Sequence, residues 1–111
     1  MTDLKKAIKA VAKMNPYGFT VELPTIKEVK RGYVVAYLET QNSFDDDGLD
    51  KVINHALNHS KTVGGWLNED NGKYYFDSCQ IFTDRDEAIK FGIENKQIAI
   101  YDIGNNNEIK L

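Results

Sequence analysis

Two histidines, His55 and His59, stand four positions apart. On a helix that spacing puts both imidazoles on one side, where they could share a metal ion. In the H-E-x-x-H arrangement of metalloproteases a glutamate follows the first histidine as general base, whereas Ala56 occupies that place here. The chain holds two histidines and one cysteine in all, so a tetrahedral site would have to be completed by carboxylates. The pair therefore reads as surface histidines at the margin of an apolar helix stripe, with no metal, cofactor or catalytic residue expected. A metal-dependent or small-molecule enzyme using His55, His59 and nearby carboxylates stands as the alternative.

Other reactive side chains have simpler readings. Cys79 alternates with Asp77 and Ile81 along an apolar run. A lone cysteine there is expected to be a buried structural thiol. With a single thiol no intrachain disulfide forms, which fits a reducing, cytoplasmic setting. Two acidic stretches, "FDDDGLD" (44–50) and "NEDNGK" (68–73), suggest calcium at first sight. Aligning the second on its glycine places Leu67 where an EF-hand loop needs its first oxygen ligand. In the first, Asp47 as N-cap and Asp50 three residues later form a capping box, a structural use of both acids. There is no G-x-G-x-x-G and no phosphate-binding lysine after a glycine loop.

Charge is distributed unevenly. Residues 1–31 carry seven bases against three acids, and residues 32–111 carry seven bases against fourteen acids, giving +4 and −7. The larger part repels a phosphate backbone, so nucleic-acid binding is disfavoured. Lys5, Lys6, Lys9 and Lys13 fall opposite the apolar stripe of the first helix and read as a solvated face. Direct nucleic-acid binding through them, or DNA mimicry by the acidic segment, is a further alternative.

The densest cluster of aromatics lies in "VGGWLNEDNGKYYFDS" (63–78). Strand alternation sends Tyr74 and Phe76 to one side and Tyr75 to the other. A hairpin turning at 68–72 follows, with Phe76 buried and Trp66 at least partly packed. Gly64 and Gly65 leave a ring room to lie over the backbone. One set of rings remains available for recognition.

These residues need elements to position them. Leu4, Ala7, Ile8, Val11 and Ala12 mark an amphipathic helix over about 3–14. "FTVEL" (19–23) alternates as a half-buried strand, and "GYVVAYLE" (32–39) has the near-continuous apolar character of a central one. A second helix begins at Asp47, and Thr83 with Asp86 caps a third over 84–95. In that helix Gly92 permits close approach to a sheet. "QIAIYDI" (97–103) is a strand, and "EIKL" either adds an edge strand or frays. From Gly32 onward the order is β-α-β-β-α-β, the ferredoxin-like split βαβ arrangement, preceded by an added helix and strand. The expectation is a single α+β domain over residues 1–111.

"GYVVAYLETQNSF" (32–44), "TVGGWLNEDNGKYYFDS" (62–78) and "DEAIKFGIENKQIAIYDI" (86–103) together resemble uncharacterised small bacterial proteins. Such proteins, also found as domains of large polyvalent proteins, are associated with phages, prophages and conjugative elements. The resemblance covers about residues 16–109 and includes no catalytic signature, so it assigns no functional residue. It implies a bacterial, cytosolic protein of mobile-element origin. No run of eighteen apolar residues occurs, so no membrane segment is expected. The resulting expectation is a non-enzymatic module that binds a protein partner. Its acidic contact is "ETQNSFDDDGLD", with Glu39, Asp45 and Asp46, aided by exposed members of Trp66, Tyr74 and Tyr75.

Overall fold

A computed structural model describes residues 2–111, the side chain of Thr2 excepted. The elements, in chain order, are α1 (Thr2–Met14), β1 (Phe19–Glu22), β2 (Lys27–Glu28), β3 (Tyr33–Ala36), a 3-10 turn (Leu38–Thr40), β4 (Ser43–Phe44), α2 (Asp45–Leu57), β5 (Thr62–Asn68), β6 (Lys73–Phe82), α3 (Arg85–Glu94), β7 (Ala99–Asp102) and β8 (Asn107–Lys110). The architecture is α+β. The strands form one antiparallel sheet in the order β2-β1-β5-β6-β3-β7-β8. β4 pairs with β6 on the edge that β3 also uses: β3 takes residues 79–82 of β6, and β4 takes Phe76 and Tyr75. β3 and β4 thus act as one strand interrupted at residues 37–42. That interruption carries the 3-10 turn.

β6 is the reference for both faces. Phe76, Ser78, Gln80 and Phe82 project to one side, while Tyr75, Asp77, Cys79 and Ile81 project to the other. The helices gather on the first side. Leu49, Val52, Ile53 and Ala56 of α2 share a core with Ile8 and Ala12 of α1, Val21, Val63 and Phe76. Ala88 of α3 packs with Val35 and Ile100, and Phe82 and Phe91 join them. Phe76 and Phe82 belong to one unbulged strand, so α2 and α3 lie on the same face. Among the described residues no helix covers the other.

Two glycines explain how tightly these layers approach. A Cβ on Gly92 would meet Leu111 Cδ1 at 2.6 Å and Ile100 Cγ2 at 3.0 Å, so this glycine lets α3 settle onto the sheet. A Cβ on Gly65 would stand 2.6 Å from Phe19 Cε1 and 2.8 Å from Tyr74 Cε1. Both rings lie over that bare backbone, as the doublet suggested.

Helix starts differ from their sequence-based placement. α2 begins at Asp45, two residues before the expected cap, and its N-cap Phe44 makes no side-chain bond. Asp45 sits at φ 58°, a left-handed entry that the acid run did not announce. For α3 the cap is Asp84 instead of Thr83, its carboxylate accepting the Glu87 N–H at 2.9 Å. Aspartate and threonine both cap well, so neighbouring candidates compete. β3 stops at Ala36, short of Glu39, because the chain turns away from the sheet there. The hairpin holds its register: Asn68 pairs with Lys73, Trp66 with Tyr75, and Gly72 takes φ 72° at the end of the turn.

Candidate functional site

Two groups of side chains stand out, one on each side of the sheet. The first lies on the face without helices. Trp66 and Tyr75 occupy opposed positions of β5 and β6, and their rings stack with centroids 5.3 Å apart and planes 24° apart. Phe44, opposite Tyr75 on β4, extends the aromatic floor at 5.5 Å, and the Lys73 ammonium rests 4.0 Å above the Phe44 ring. The Asn71 side-chain amide donates to the Tyr75 hydroxyl at 3.0 Å, fixing that ring's outer end. Trp66 remains 44% exposed although its partner is half-buried.

Two residues along β6 from Tyr75, on the same face, stands Asp77. Its neighbour across β5 is Gly64, which sets no side chain against the carboxyl. Burial without a facing cation pushes the Asp77 carboxyl up to about 6. Cys79 follows on the same face. It is a free, buried thiol, held well above its ordinary range by burial and by the Asp77 charge. That agrees with a structural cysteine and supplies no nucleophile.

The second group lies under the helices, where α2 ends. His55 and His59 stack face to face, with centroids 3.7 Å apart and planes 2° apart. His55 Nε2 lies 3.1 Å from Glu39 Oε1, and its Nδ1 lies 2.7 Å from Ser78 Oγ. The bond to His55 holds the Glu39 carboxyl below its usual range. His59 Nδ1 is 2.7 Å from the carbonyl oxygen of His55. Tyr37 closes the inner side, its ring 4.9 Å from His55 and 5.3 Å from His59. The Tyr37 hydroxyl donates to Gln80 Oε1 at 3.0 Å and lies 2.6 Å from Ser60 Oγ. The 3-10 turn bearing Glu39 is tied to α3 by the Leu38 N–H, which donates to Asn95 Oδ1 at 3.0 Å.

Ser78, His55 and Glu39 form a hydroxyl–imidazole–carboxylate chain, the composition of a hydrolase triad. Ser78 has no exposed surface, however, and its N–H donates to Thr40 Oγ1 at 3.0 Å. A substrate carbonyl cannot reach that hydroxyl. Its work is to orient the imidazole.

No family model, no curated protein and no solved structure matches this chain. Chemistry at the two groups must therefore carry the functional reading.

The residues expected to form one acidic-aromatic contact are dispersed. Asp46 is engaged by Lys9 at 2.9 Å, and Asp50 by Lys5 at 3.0 Å, so α1 and α2 pair their charges across the helix interface. The lysine stripe is thus partly consumed within the molecule. Asp45 is exposed beside Phe44, whereas Glu39 belongs to the histidine cluster. Tyr74 does not join Trp66 and Tyr75. It faces the helices, packs on Phe19 and Phe76, and donates its hydroxyl to the Asn15 carbonyl at 2.7 Å. Burial raises that phenol to about 12. Among the described residues no helix is long and apolar enough to cross a membrane.

Sequence reasoning missed three participants. In the sequence Asp77 figures only as an alternation partner of Cys79, Ser78 carries no signal of its own, and Phe44 belongs to an acidic run. The period-2 rule reached Asp77, since it places this residue beside Tyr75 on one face. No local pattern reaches the link between Ser78 and His55, which are 23 residues apart.

Proposed function

We propose that the protein is a non-enzymatic interaction module that holds a basic side chain of a partner protein on the open sheet face, between the Trp66–Tyr75 stack and the Asp77 carboxylate. The observation that carries this reading is the aromatic stack beside a carboxylate that no described residue pairs with, at the next position of the same face, on the side of the sheet that no described helix covers. An ammonium or guanidinium over an indole face gains roughly 0.5–2 kcal/mol, more as water is excluded. A nearby carboxylate adds a charge-assisted hydrogen bond. Gly64, opposite Asp77, adds no side chain of its own to the approach, which Cys79 and Thr20 flank. The acidic balance of residues 32–111 attracts such a partner and speeds encounter.

Titration of isotope-labelled protein with a lysine- and arginine-rich peptide tests the reading. The Trp66 indole N–H and the backbone signals of Gly64 and Ser78 should move, and a glutamate-rich peptide should leave them in place. Trp66→Ala and Asp77→Asn should each weaken the response severalfold. Shifts confined to the acidic start of α2, or no shifts at all, would refute it.

The same proposal takes residues 33–102 as a split β-α-β-β-α-β core of the ferredoxin-like kind. The order β5-β6-β3-β7 and the placement of α2 and α3 on one face support that description.

A further inference from the structure

We propose that Glu39, His55 and His59 form a binding site for a divalent first-row transition metal ion, with zinc the best fit. This site lies on the other face from the aromatic surface and is independent of the protein-binding reading.

One ligand atom from each residue falls within 4.8 Å of the others. Two donors on one zinc ion stand roughly 3.3–3.5 Å apart, as bond lengths of about 2.0–2.1 Å in tetrahedral geometry require. The cluster therefore needs a contraction of at most about 1.5 Å, within reach of side-chain rotation. Two imidazoles and one carboxylate form a borderline donor set suited to zinc or ferrous iron, and unsuited to calcium or magnesium. Three protein ligands also leave a coordination position for water.

At His59 the tautomer already suits the same use. A carbonyl oxygen only accepts, so the 2.7 Å contact with the His55 carbonyl places a hydrogen on His59 Nδ1. In the neutral ring Nε2 then keeps its lone pair. At His55 the Glu39 carboxylate only accepts, so in the free protein Nε2 carries a hydrogen toward it; a bound metal ion takes the place of that hydrogen, with the Ser78 hydroxyl accepting from Nδ1. Metal-bound histidines commonly have such a partner on the second nitrogen. Here a buried serine, itself fixed by Thr40, provides it.

The stack must open for metal to bind. Parallel rings direct their lone pairs in parallel, and a shared ion needs them to converge. His59 is the ring able to move, being exposed and held by one hydrogen bond. His55 is fixed at both nitrogens and by Tyr37. The metal-bound form accordingly keeps His55 in place and rotates His59 toward Glu39.

Zinc and cobalt titrations of the full-length protein without an affinity tag test the site, by calorimetry for Zn2+ and by visible absorption for Co2+. One ion per chain is expected, with the intensified cobalt bands of a four-coordinate nitrogen-oxygen site. His59→Ala and Glu39→Gln should each weaken affinity about tenfold or more. Asp45→Asn, an exposed acid outside the cluster, should leave it unchanged. His59 is exposed, so its variant tests the ligand without removing a core group, and far-UV circular dichroism checks that it folds. His55→Ala is less suitable because it also strips Ser78 of its partner. Absence of saturable uptake would overturn the proposal. So would zinc affinity that survives both His59→Ala and Glu39→Gln, because the ion would then sit on surface carboxylates.

Discussion

Replacing Asp77 by asparagine should gain stability relative to the parent protein as pH rises from acid to above neutral. The carboxyl ionises at about 6 in the folded chain against an ordinary 3.8, because burial penalises its charged form. Between those values the native state holds a proton that the unfolded chain has released. Stability from this group is thus fully present below about pH 3.8 and lost as pH rises through about 6. Two pKa units correspond to about 3 kcal/mol, and by pH 4 roughly 2–3 kcal/mol of the difference is already recovered. Asparagine keeps the shape and removes the charge, so its stability relative to the parent should rise by about 2–3 kcal/mol from pH 4 to pH 8. Only the change with pH is compared, so the cost of burying the amide cancels. The assay is paired urea titrations of both proteins at pH 4, 6 and 8. Circular dichroism should be the probe, since Trp66 lies diagonal to the mutated site. A difference that stays flat within about 0.5 kcal/mol over this range would refute the reasoning and show Asp77 to be hydrated in the native state.

The hairpin supports two sharper contrasts. Phe76→Ala empties a site that is 3% exposed within the main core and should cost about 3–5 kcal/mol in urea unfolding. Tyr75→Ala, on the open face, should cost about 1–2 kcal/mol, mainly its stacking with Trp66 and Phe44. Reversal of that order would mean the two faces are interchanged. Gly65→Ala forces a methyl into Phe19 and Tyr74 and should cost about 1–3 kcal/mol by overpacking. Gly72→Ala meets nothing within 4 Å and should cost only the left-handed backbone penalty, about 1–2 kcal/mol. Thermal unfolding of that pair distinguishes steric crowding from backbone strain, and a Gly65→Ala protein as stable as the parent would exclude the ring-over-glycine packing.

Elements whose signal is local were legible in the sequence. α1 follows from its apolar spacing, and the β5–β6 hairpin follows from alternation with a glycine-ended turn. Gly92 was assigned its role because a helix cannot lie close to a sheet through a larger residue. Placement failed where several residues compete for one task. Four aspartates between residues 45 and 50 all suit a helix N-terminus, and Thr83 and Asp84 both suit a cap. The short strands β2 and β4 were not foreseen. Two residues carry no periodicity, and such strands exist because a neighbouring strand offers unpaired backbone groups.

The two sites differ in the same physical respect. The aromatic one is built from strands 62–68 and 73–82, so alternation and one turn determine which residues meet: Trp66 and Tyr75 stand among the three rings the sequence nominates, and Tyr74 goes to the other face. The histidine cluster draws on a 3-10 turn, the last turn of α2 with the turn after it, and the middle of β6. Its spacing rule covered His55 and His59 alone. Glu39 and Ser78 reach the pair only because β3 breaks after Ala36 and lifts residues 38–40 against α2, while β6 passes beneath. The interruption between β3 and β4 is therefore what creates the cluster. Had the strand run through to Glu39, as its apolar sequence suggested, that carboxylate would lie in a sheet edge, away from both imidazoles. A sequence pattern that reads smoothly as strand conceals the break, since its cause is nonlocal: the Tyr37 hydroxyl is held between Ser60 and Gln80, and the Leu38 N–H is taken by Asn95. These partners lie 23 to 57 residues away, beyond any window in which periodicity is defined.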